Sequence, residues 1–535
     1  MAGIPFGAIY VALAAYTLSR STIANFFLVS VLVAFAKFVY NMALYPAFFT
    51  PLKHLPSPSH RSWLTGNTNS YFIMTPSTEM RNWLKEVPNN GLVRYYITGN
   101  LERVLLTKPK ALSELLVTKV YDFPKPEFVR SRLAPVTGEH GVLLVEGDEH
   151  KKQRKNLMPA FAYRHIKDLY PIFWAKSAEM AQMIEKDLKA RTDPTDNVVC
   201  VGAWATRATL DIIGVAGMDH DFNSLQDPNN ELAQQYHKIM AEPSTFAKLL
   251  FVLGMLIGFP NLASKLPSKR NAEMNESSQF IRDVARQMIR QKREKLESKT
   301  AKNDVDIISV ALESGTFTED DLIDQMMTFL AAGHETTSTA LQWVAYALCK
   351  HPDMQERLRE EVRANLPSIS TESPEPLSAA TLDGLPYLNA FCNEVLRFHP
   401  SVPGTVRTAA RDTSLLGVPI PKGTLLLLSP EVINRSEELW GPDAHEFNPE
   451  RWLGPGKANT GGASSNYAYL TFIHGPRSCI GQGFAKAELA CLVAAMIGKF
   501  KIEAKYPDAK LDVRIGATVR PRDGVLAKFT PLEGW

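Results

Sequence analysis

The sequence predicts a mainly α-helical fold with small β-sheets, preceded by an N-terminal membrane segment. Three observations predict it. Residues 148–365 show a mostly helical pattern, two short stretches carry hairpin signals, and an apolar run fills residues 23–49. At 535 residues and 45% hydrophobic content, the chain can bury a large core.

The apolar run at 23–49 is interrupted only by Lys37. A bilayer crossing takes roughly 20 apolar residues, so the run is long enough if the Lys37 ammonium reaches the interface. A second apolar stretch at 4–18 leaves one or two spans open. A cleaved signal peptide is disfavoured, because the run is too long and no small-residue cleavage site ends it. More basic residues follow the run than precede it, which predicts a cytoplasmic main body.

Shorter signals place the smaller elements. Residues 51–63 contain three prolines and predict a stiff, extended connector. Hairpins are predicted at 92–107, around a Gly-Asn pair, and at 519–529, around an Asp-Gly pair. The apolar stretch 249–263 is too short for a confident span; a buried core helix and a surface that dips into the bilayer both fit it.

The composition excludes some classes of protein. A formal net charge of +3 on this length gives no strong field for nucleic acid. The five cysteines are odd in number and scattered, and no CxxC pair occurs. A disulfide scaffold is therefore disfavoured, and a reducing compartment is expected for the main body.

A long buried helix is predicted at 318–350. Thr318 and Asp321 have the spacing of a capping box, and a helix of this length would be roughly 45–50 Å long. Small residues share one face in its middle: Ala332, Gly333, Thr336 and Ala340. Something flat could lie against that face. Glu335 and Thr336 bring an acid and a hydroxyl there; the alternative is that Thr336 bonds back to the carbonyl four residues earlier and Glu335 forms an ion pair.

A second helix is predicted at 385–400, and it carries an ion pair. Glu394 and Arg397 are three residues apart, so they share a face, and their neighbours are apolar. A buried pair needs further partners, and Arg451 is a candidate third member. An ordinary exposed pair remains the alternative for this motif alone.

The chemistry centres on Cys479, which lies just before a helix predicted at 480–497 and closed by Gly498. The helix N-terminus and Arg477 both favour thiolate over thiol. A thiolate nucleophile would need a histidine base, and His474 is close in sequence. A zinc site would need more ligands than one cysteine. A single soft ligand among glycines fits haem iron better.

The order Phe472-x-x-Gly475-x-Arg477-x-Cys479-x-Gly481 matches the haem-binding signature of the cytochrome P450 family in every fixed position. The stretches "AAGHETT" (331–337), Glu394-x-x-Arg397 and "FNPERW" (447–452) resemble its other motifs in order and spacing. The resemblance covers roughly residues 50–535 and is to the microsomal eukaryotic type, in a style similar to fungal members.

The resemblance implies roles for individual residues. Cys479 would be the axial thiolate ligand and Arg477 a partner of a haem propionate; Phe472, Gly475 and Gly481 would shape the ligand loop. Thr336 and Glu335, where the family more often has aspartate, would help deliver protons. The remaining roles are these: Ala332 and Gly333 border the haem; Glu394, Arg397 and Arg451 form a structural triad; Arg407, Arg154 and His150, which replaces a usual tryptophan, contact the propionates.

By resemblance, the protein is a membrane-anchored monooxygenase of the endoplasmic reticulum that carries haem b (iron protoporphyrin IX). It would insert one oxygen atom from O2 into a lipophilic substrate, and the analogy with fungal members places that substrate in secondary metabolism. NADPH-cytochrome P450 reductase would supply electrons, with a cytochrome b-type donor as another source. Basic residues near the ligand loop, including Lys486, would help to dock the reductase. The expected layout is an anchor (1–50), a hinge (51–63) and a catalytic domain (64–535). Two alternatives are a haem-thiolate isomerase or dehydratase that uses no O2, and a non-catalytic haem protein.

Overall fold

The computed structural model describes residues 23–62, 65–67, 77–193, 195–257, 259, 261, 264, 266–298, 306–369 and 376–535. The described chain forms two units, each with its own core. The smaller unit draws on Met1–Val129, Pro243–Asn271 and Val406–Leu428, and the larger on Arg130–Glu242, Ala272–Thr405 and Ser429–Trp535. The first apolar stretch at 4–18 lies outside the described residues.

Helices dominate, as the sequence predicts. In chain order they are α1 (Ile23–Val39), α2 (Ser77–Glu86), α3 (Pro109–Ser113), α4 (Glu127–Thr137), α5 (Gly147–Leu157), α6 (Tyr163–Ile166), α7 (Tyr170–Ala190), α8 (Val201–Met218), α9 (Glu231–Ile239), α10 (Thr245–Ile257), α11 (Lys269–Glu297), α12 (Ile307–Glu313), α13 (Glu319–Lys350), α14 (Pro352–Asn365), α15 (Ala379–Asp383), α16 (Pro386–Phe398), α17 (Pro430–Ile433), α18 (Glu437–Trp440) and α19 (Gln482–Lys499).

The strands are short. They are β1 (Leu92–Ile97), β2 (Leu101–Leu106), β3 (Val198–Cys200), β4 (Thr405–Thr408), β5 (Thr413–Leu415), β6 (Val418–Ile420), β7 (Leu425–Leu428), β8 (Phe500–Ala504), β9 (Val513–Ile515), β10 (Val519–Pro521) and β11 (Leu526–Pro531). They form sheets of order β1-β2-β7-β4 and β3-β11-β8 and the pairs β10-β9 and β5-β6.

The hairpin expected at 92–107 is present in the smaller unit. β1 pairs antiparallel with β2, so that Leu92 faces Leu106. The turn falls on Gly99 and Asn100, at φ 76° and 56°. These left-handed values favour glycine and asparagine, which explains why the pair predicts the turn.

The N-terminal helix is tied to α10 within the smaller unit. α1 continues as a π-helix over Tyr40–Phe49, and the Asn41 side-chain amide donates to the Leu256 carbonyl at 2.6 Å. Met42, Val252 and Leu256 form a small apolar cluster. Leu28–Phe49 is long and apolar enough to cross a membrane. The other face of α10 exposes Phe246, Leu249 and Leu253, so α10 is not a wholly buried core helix, and its contact with a bilayer stays a prediction.

The proline-rich segment after α1 is packed rather than free. Leu52 and Leu55 are buried, and the Arg94 amide donates to the Pro56 carbonyl at 2.9 Å. The Thr50 hydroxyl donates to the Glu102 carboxylate at 2.8 Å. The segment is therefore fixed to the first sheet, which the sequence pattern of an extended connector did not predict.

In the larger unit α13 runs through the core, with the expected capping box. The Asp321 amide donates to the Thr318 hydroxyl at 3.2 Å, and the Thr318 amide donates to the Asp321 carboxylate at 3.0 Å. Most of its residues are buried. α8, α19 and other elements cover the helix on nearly every side. This burial explains why its sequence is apolar all round.

Two sequence predictions near the C-terminus are wrong in detail. Residues 519–529 do not form a hairpin: β10 pairs with β9, whereas β11 pairs with β3 and β8. Gly498 does not end the last helix, which runs on through Lys499. A Cβ on Gly498 would overlap the Trp535 ring, so this glycine is explained by close packing instead of helix termination.

Candidate active site

The loop before α19 is folded tightly around Cys479. The Cys479 amide donates to the Phe472 carbonyl at 2.8 Å, and the Ser478 amide donates to the Gly475 carbonyl at 2.9 Å. Gly475 has φ 77°, which suits glycine, but Ile473 has φ 58°. A β-branched residue in this region is strained, so the surrounding contacts must hold the loop in place.

The Cys479 side chain is exposed, although protein surrounds it. Burial raises the pKa of its thiol, while the Gly481 N–H and then Arg154 oppose that shift. Cys479 thus combines an accessible side chain with a thiol whose pKa the surrounding protein raises. The prediction that Arg477 favours the thiolate finds no support here, because the cation that acts on the Cys479 pKa is Arg154.

α5 brings Arg154 to the ligand loop. Its guanidinium donates to the Ser478 carbonyl at 2.7 Å and to the Ser478 hydroxyl at 3.1 Å. His150, one turn earlier on α5, is buried. The structure therefore brings Arg154 next to the residue that precedes Cys479. The sequence prediction identified Arg154 but not Ser478.

Arg477 is buried and already has acceptors on a neighbouring segment. It forms an ion pair with Glu146 and donates to the Val145 carbonyl at 3.4 Å. A negatively charged ligand at this point would share the Arg477 guanidinium with the Glu146 carboxylate. Glu146 was not identified from the sequence, since it lies more than 300 residues away in the chain.

The small-residue face predicted in the middle of α13 is open only in part, because Ala340 is buried. Ala332 is exposed, although the helix is otherwise largely buried, and Gly333 and Thr336 are partly exposed. The Thr336 hydroxyl donates to the Ala332 carbonyl at 2.8 Å, as one of the two alternatives proposes. A Cβ on Gly333 would lie 2.7 Å from Ile213 of α8. Helix packing therefore explains this glycine, and a cofactor contact for it stays a prediction.

Glu335 faces a different set of residues. Its carboxylate accepts from the Thr518 hydroxyl at 2.7 Å and from the Arg520 guanidinium at 3.0 Å. The ion-pair alternative is therefore what the structure contains. A cavity of about 20 Å³ adjoins the pair, which is room for about one water molecule. Thr518 and Arg520 are two residues apart in an extended segment, so their side chains lie on the same side. This spacing is the sequence signal that could have identified them as a pair.

The structure brings Glu394, Arg397 and Arg451 together in the interior. The Arg397 guanidinium donates twice to the Glu394 carboxylate, both at 2.7 Å, and Arg451 donates to it at 3.2 Å. Trp452 adds an indole N–H at 2.9 Å. Because Glu394 and Arg397 are 0% exposed, these extra donors are needed to offset desolvation.

Asn434 links the triad to the ligand loop. Its amide nitrogen donates to the Arg397 carbonyl at 3.1 Å and to the Thr471 hydroxyl at 2.8 Å. Its oxygen accepts from the Leu470 amide at 2.8 Å. The triad thus fixes the chain just before Phe472. Asn434 was missed, because its partners are more than 30 residues away on both sides.

Arg407 belongs to the smaller unit, on β4. It is buried and donates to the Val406 carbonyl at 3.0 Å. The propionate contact expected for it stays a prediction.

The two alternative interpretations of Cys479, a nucleophile and a zinc ligand, gain no support. One ring nitrogen of His474 hydrogen-bonds the Tyr469 carbonyl at 3.1 Å and its ring faces Tyr467, so it is not placed as a base for the thiol. In the part of the chain that the structure describes, no group of three or more His, Cys, Asp or Glu could hold a metal ion.

The residues present fit haem. A flat ligand needs an open face, and Ala332 provides one on α13. An axial ligand needs an accessible soft donor, and Cys479 provides it with the Gly481 N–H behind the sulfur. A Cβ on Gly481 would meet only Phe161, at an ordinary 3.7 Å, so the space over this residue is free. Arg154 and Arg477 can balance the propionate charges.

Comparison with known proteins agrees with this site. A family model described as cytochrome P450 matches residues 56–528. The chain is 59% identical over 515 residues to cytochrome P450 monooxygenase sphH of Aspergillus fumigatus, covering 96% of this chain and 95% of that protein. It is 44% identical to cytochrome P450 monooxygenase FSL4 of Gibberella zeae (94% and 92% covered) and 36% identical to cytochrome P450 monooxygenase ptmK of Penicillium ochrochloron (95% and 99%).

A haem site served by one cysteine, on a mainly α-helical fold, defines a haem-thiolate protein. The chain belongs to the cytochrome P450 family. It is a haem-thiolate monooxygenase, an oxidoreductase whose family uses haem b with a cysteine thiolate on the iron. Such enzymes generally take electrons from a redox partner and act on lipophilic substrates.

Proposed function

We propose that Cys479 is the axial ligand and that the enzyme oxygenates a lipophilic intermediate of secondary metabolism. The observation that carries the ligand assignment is the accessible Cys479 sulfur with the Gly481 N–H behind it. Haem, when bound, supplies the iron at which O2 is activated. The protein's part is to fix the sulfur: the Glu394 network holds the chain before Phe472, and Phe472 holds the Cys479 amide.

Four side chains are proposed to contact the haem propionates: Arg477, Arg154, His150 and Arg407. Arg154 and Arg477 support this best, because Arg154 is held against the ligand loop by Ser478 and Arg477, within that loop, is held by Glu146. A propionate near Arg477 would compete with Glu146, since one guanidinium can serve both carboxylates only by dividing its donors. Phe472, Gly475 and Gly481 complete the loop.

Thr336 and Glu335 are proposed to deliver protons. The Thr336 hydroxyl can reach the groove beside Ala332 only by releasing the Ala332 carbonyl, a bond of 2.8 Å. Glu335 lies on the other side, where Thr518 and Arg520 hold its carboxylate next to the water-sized cavity. Protons would therefore enter at Glu335 and pass to the Thr336 side of α13.

A separate reductase that uses NADPH is the proposed electron source, with a cytochrome b-type protein as a second donor. α5, which holds the ligand loop through Arg154, presents Lys151, Lys152 and Lys155 to solvent. Exposed lysines of this kind attract an acidic partner. The sequence predicts Lys486 as a docking residue. Its ammonium instead lies over the Tyr469 and Phe472 rings, so it is not a free surface charge.

The endoplasmic reticulum membrane is the proposed location, with the catalytic domain facing the cytoplasm. Residues 1–50 would anchor the chain, 51–63 would join it to the body, and 64–535 would form the catalytic domain. The support is α1, which is apolar enough to cross a bilayer, and the basic residues that follow it. Phe246, Leu249 and Leu253 of α10 add exposed apolar surface.

Isotopically labelled O2 tests the reaction. Membranes containing the protein and a reductase are supplied with NADPH and with metabolites that accumulate when the gene is deleted. One labelled oxygen atom should appear in the product, and omission of NADPH should abolish it. Turnover that continues without NADPH or O2 would instead support the isomerase or dehydratase alternative. Cys479→Ser protein serves as the control.

A further inference from the structure

Arg154 joins α5 to the residue that precedes Cys479. One terminal nitrogen of its guanidinium donates to the Ser478 carbonyl at 2.7 Å, and the other donates to the Ser478 hydroxyl at 3.1 Å. Two donors of one planar group thus bind two acceptors of one residue, which a compact lysine ammonium would match poorly. Arg154 and Ser478 are 324 positions apart in the chain, so the contact links distant segments of the larger unit.

α5 is itself fixed on both sides of Arg154. The buried side-chain amide of Gln325, on α13, donates to the side-chain oxygen of Gln153 at 2.8 Å. The side-chain amide of Asn156 donates to the Thr316 hydroxyl at 2.8 Å. Gln153 and Asn156 flank Arg154 along the helix. The backbone that carries the guanidinium is therefore held in place by its neighbours.

The ligand loop needs contacts at both of its ends. Ile473 has φ 58°, and a β-branched residue keeps such a strained backbone only where the surrounding structure holds it. Before this residue, Asn434 holds the Leu470 amide at 2.8 Å. After it, Arg154 holds Ser478 through two hydrogen bonds. The chain is thus fixed from another element at a point one residue before the sulfur.

The charge of Arg154 acts on the sulfur as well. Burial raises the pKa of the Cys479 thiol, and the Gly481 N–H and then Arg154 oppose that rise. This electrostatic effect agrees with the geometry, because the guanidinium is bound to the adjacent residue, Ser478. One contact therefore sets both the position of the loop and the position of the charge beside it.

We propose that Arg154 is a positioning residue for the sulfur ligand: its two bonds to Ser478 fix the chain at Cys479 and so keep the thiolate on the haem iron. An iron–sulfur bond is lost when the sulfur moves away or takes up a proton. A fixed chain opposes the first process, and a neighbouring cation opposes the second. This inference rests on the proposed ligation by Cys479.

This role is separate from the propionate contact proposed for Arg154. That contact would be made with the cofactor, whereas the bonds to Ser478 are made within the protein. A guanidinium has five N–H donors, and two bonds to Ser478 leave others for a propionate. The two roles can therefore coexist, and an experiment has to separate them.

The experiment measures how long thiolate ligation lasts. Haem-loaded full-length protein in detergent is reduced, saturated with carbon monoxide and kept at one pH in a fixed concentration of urea. The half-life of the red-shifted Soret band then reports the lifetime of the thiolate on the iron. Arg154→Met should shorten this half-life by roughly tenfold, on the scale of lost hydrogen bonds from a charged group. Equal half-lives in the wild type and Arg154→Met would overturn the inference.

Arg154→Lys and Ser478→Ala separate the bonds to Ser478 from the propionate contact. A lysine keeps a positive charge for a propionate but lacks the fork that binds both Ser478 acceptors, so its half-life should stay well below that of the wild type. Ser478→Ala keeps Arg154 and removes one acceptor, so the half-life should fall by roughly fivefold. Wild-type half-lives in these two variants would show that Arg154 does not act through Ser478.

The double variant tests whether the two residues act through one contact. In the Arg154→Met background, Ser478→Ala should have little further effect, because the donor to the hydroxyl is already gone. Full additivity of the two changes would count against the inference. If Arg154→Met does not load haem, Arg154→Lys and Ser478→Ala decide the question.

Asn156→Ala is the matched control on the same helix. It removes the bond to Thr316 without touching Arg154 or Ser478, and it should keep the wild-type half-life. A loss as large as that of Arg154→Met would contradict the inference, since the stability of α5 would then control the lifetime of the bond.

The wild-type spectrum separates the two possible failures. If the wild type shows the red-shifted band and its half-life responds neither to Arg154 nor to Ser478, the inference alone fails. If the wild type itself lacks the band, the ligation by Cys479 fails, and the inference fails with it.

Discussion

At the scale of single residues, the same side chain can satisfy a structural and a chemical explanation. Thr336 bonds back to the Ala332 carbonyl, and Glu335 is paired with Arg520, as a purely structural helix would have them. Yet Ala332 is exposed beside them in a buried helix. A hydroxyl at this edge needs only a rotation about χ1 to face the groove, so its resting bond does not argue against proton delivery.

Thr336→Ala should uncouple NADPH consumption from oxygenation. Without the hydroxyl, protons reach activated oxygen in a less ordered way, and more of it is released as peroxide. We expect product formed per NADPH to fall by roughly tenfold or more, on the scale usual for a lost proton donor. The measurement is NADPH consumed, peroxide released and product formed in one assay. Thr336→Ser is the control, and unchanged coupling in the alanine variant would show that the hydroxyl is not needed.

What the sequence could predict at this scale depended on local pattern. Cys479 and its glycines form a contiguous motif, and Arg154 was identified because its segment resembles a motif of the family. Asn434 gave no local signal, since its importance lies in a contact with Leu470 that only the folded chain brings about. Lys486 was expected to be a docking residue, whereas its ammonium lies over the Tyr469 and Phe472 rings. Gly333 was assigned to a cofactor groove, although Ile213 explains it through packing.

At the scale of elements, the most accurate predictions were of long helices whose sequence shows both where the helix begins and a regular apolar pattern along it. α13 begins where its capping box predicts, and α16 carries its ion pair on one buried face. The C-terminal strands were harder. An Asp-Gly pair predicts a tight turn, but β10 and β11 find other partners, because the pairing of short strands is decided by distant segments.

Asn434→Ala should weaken haem retention by loosening the loop between the triad and Cys479. The substitution leaves the Leu470 amide and the Arg397 carbonyl without their partner; a buried unsatisfied group costs about 1–3 kcal/mol. We expect a lower ratio of haem to protein and a lower unfolding midpoint.

The control for this prediction is Asn459→Ala, at an exposed position in the segment before the loop. It should leave both quantities unchanged. Full haem occupancy with a wild-type unfolding midpoint in Asn434→Ala would mean that the ligand loop is fixed without this link.

At the scale of the whole molecule, the family model begins at residue 56, so α1 lies outside the matched region. Composition alone predicted this helix. It did not predict that Asn41 would bind the Leu256 carbonyl, which joins α1 to α10 in the smaller unit. The apolar stretch on α10 could be read from the sequence, whereas which of its faces is exposed could not.

Removal of residues 1–49 should therefore leave part of the protein on membranes. Phe246 and Leu249 are 67% and 63% exposed, and burying such a side chain in lipid stabilises it by about 1.5–3 kcal/mol. Vesicle flotation measures the bound fraction. Adding Phe246→Gln and Leu249→Gln to the truncation should release the remainder, while the same two changes in the full chain should leave it anchored. Complete release by truncation alone would show that α10 does not contact lipid.

The bond between Cys479 and haem iron determines the chemistry of the site, and the reduced carbon monoxide complex reports on it directly. The wild type should show the red-shifted Soret band of a thiolate ligand. Cys479→Ser should lose that band, because a serine oxygen is a harder and weaker donor than a thiolate. A band that persists unchanged in Cys479→Ser would contradict this ligation, since another residue would then hold the iron.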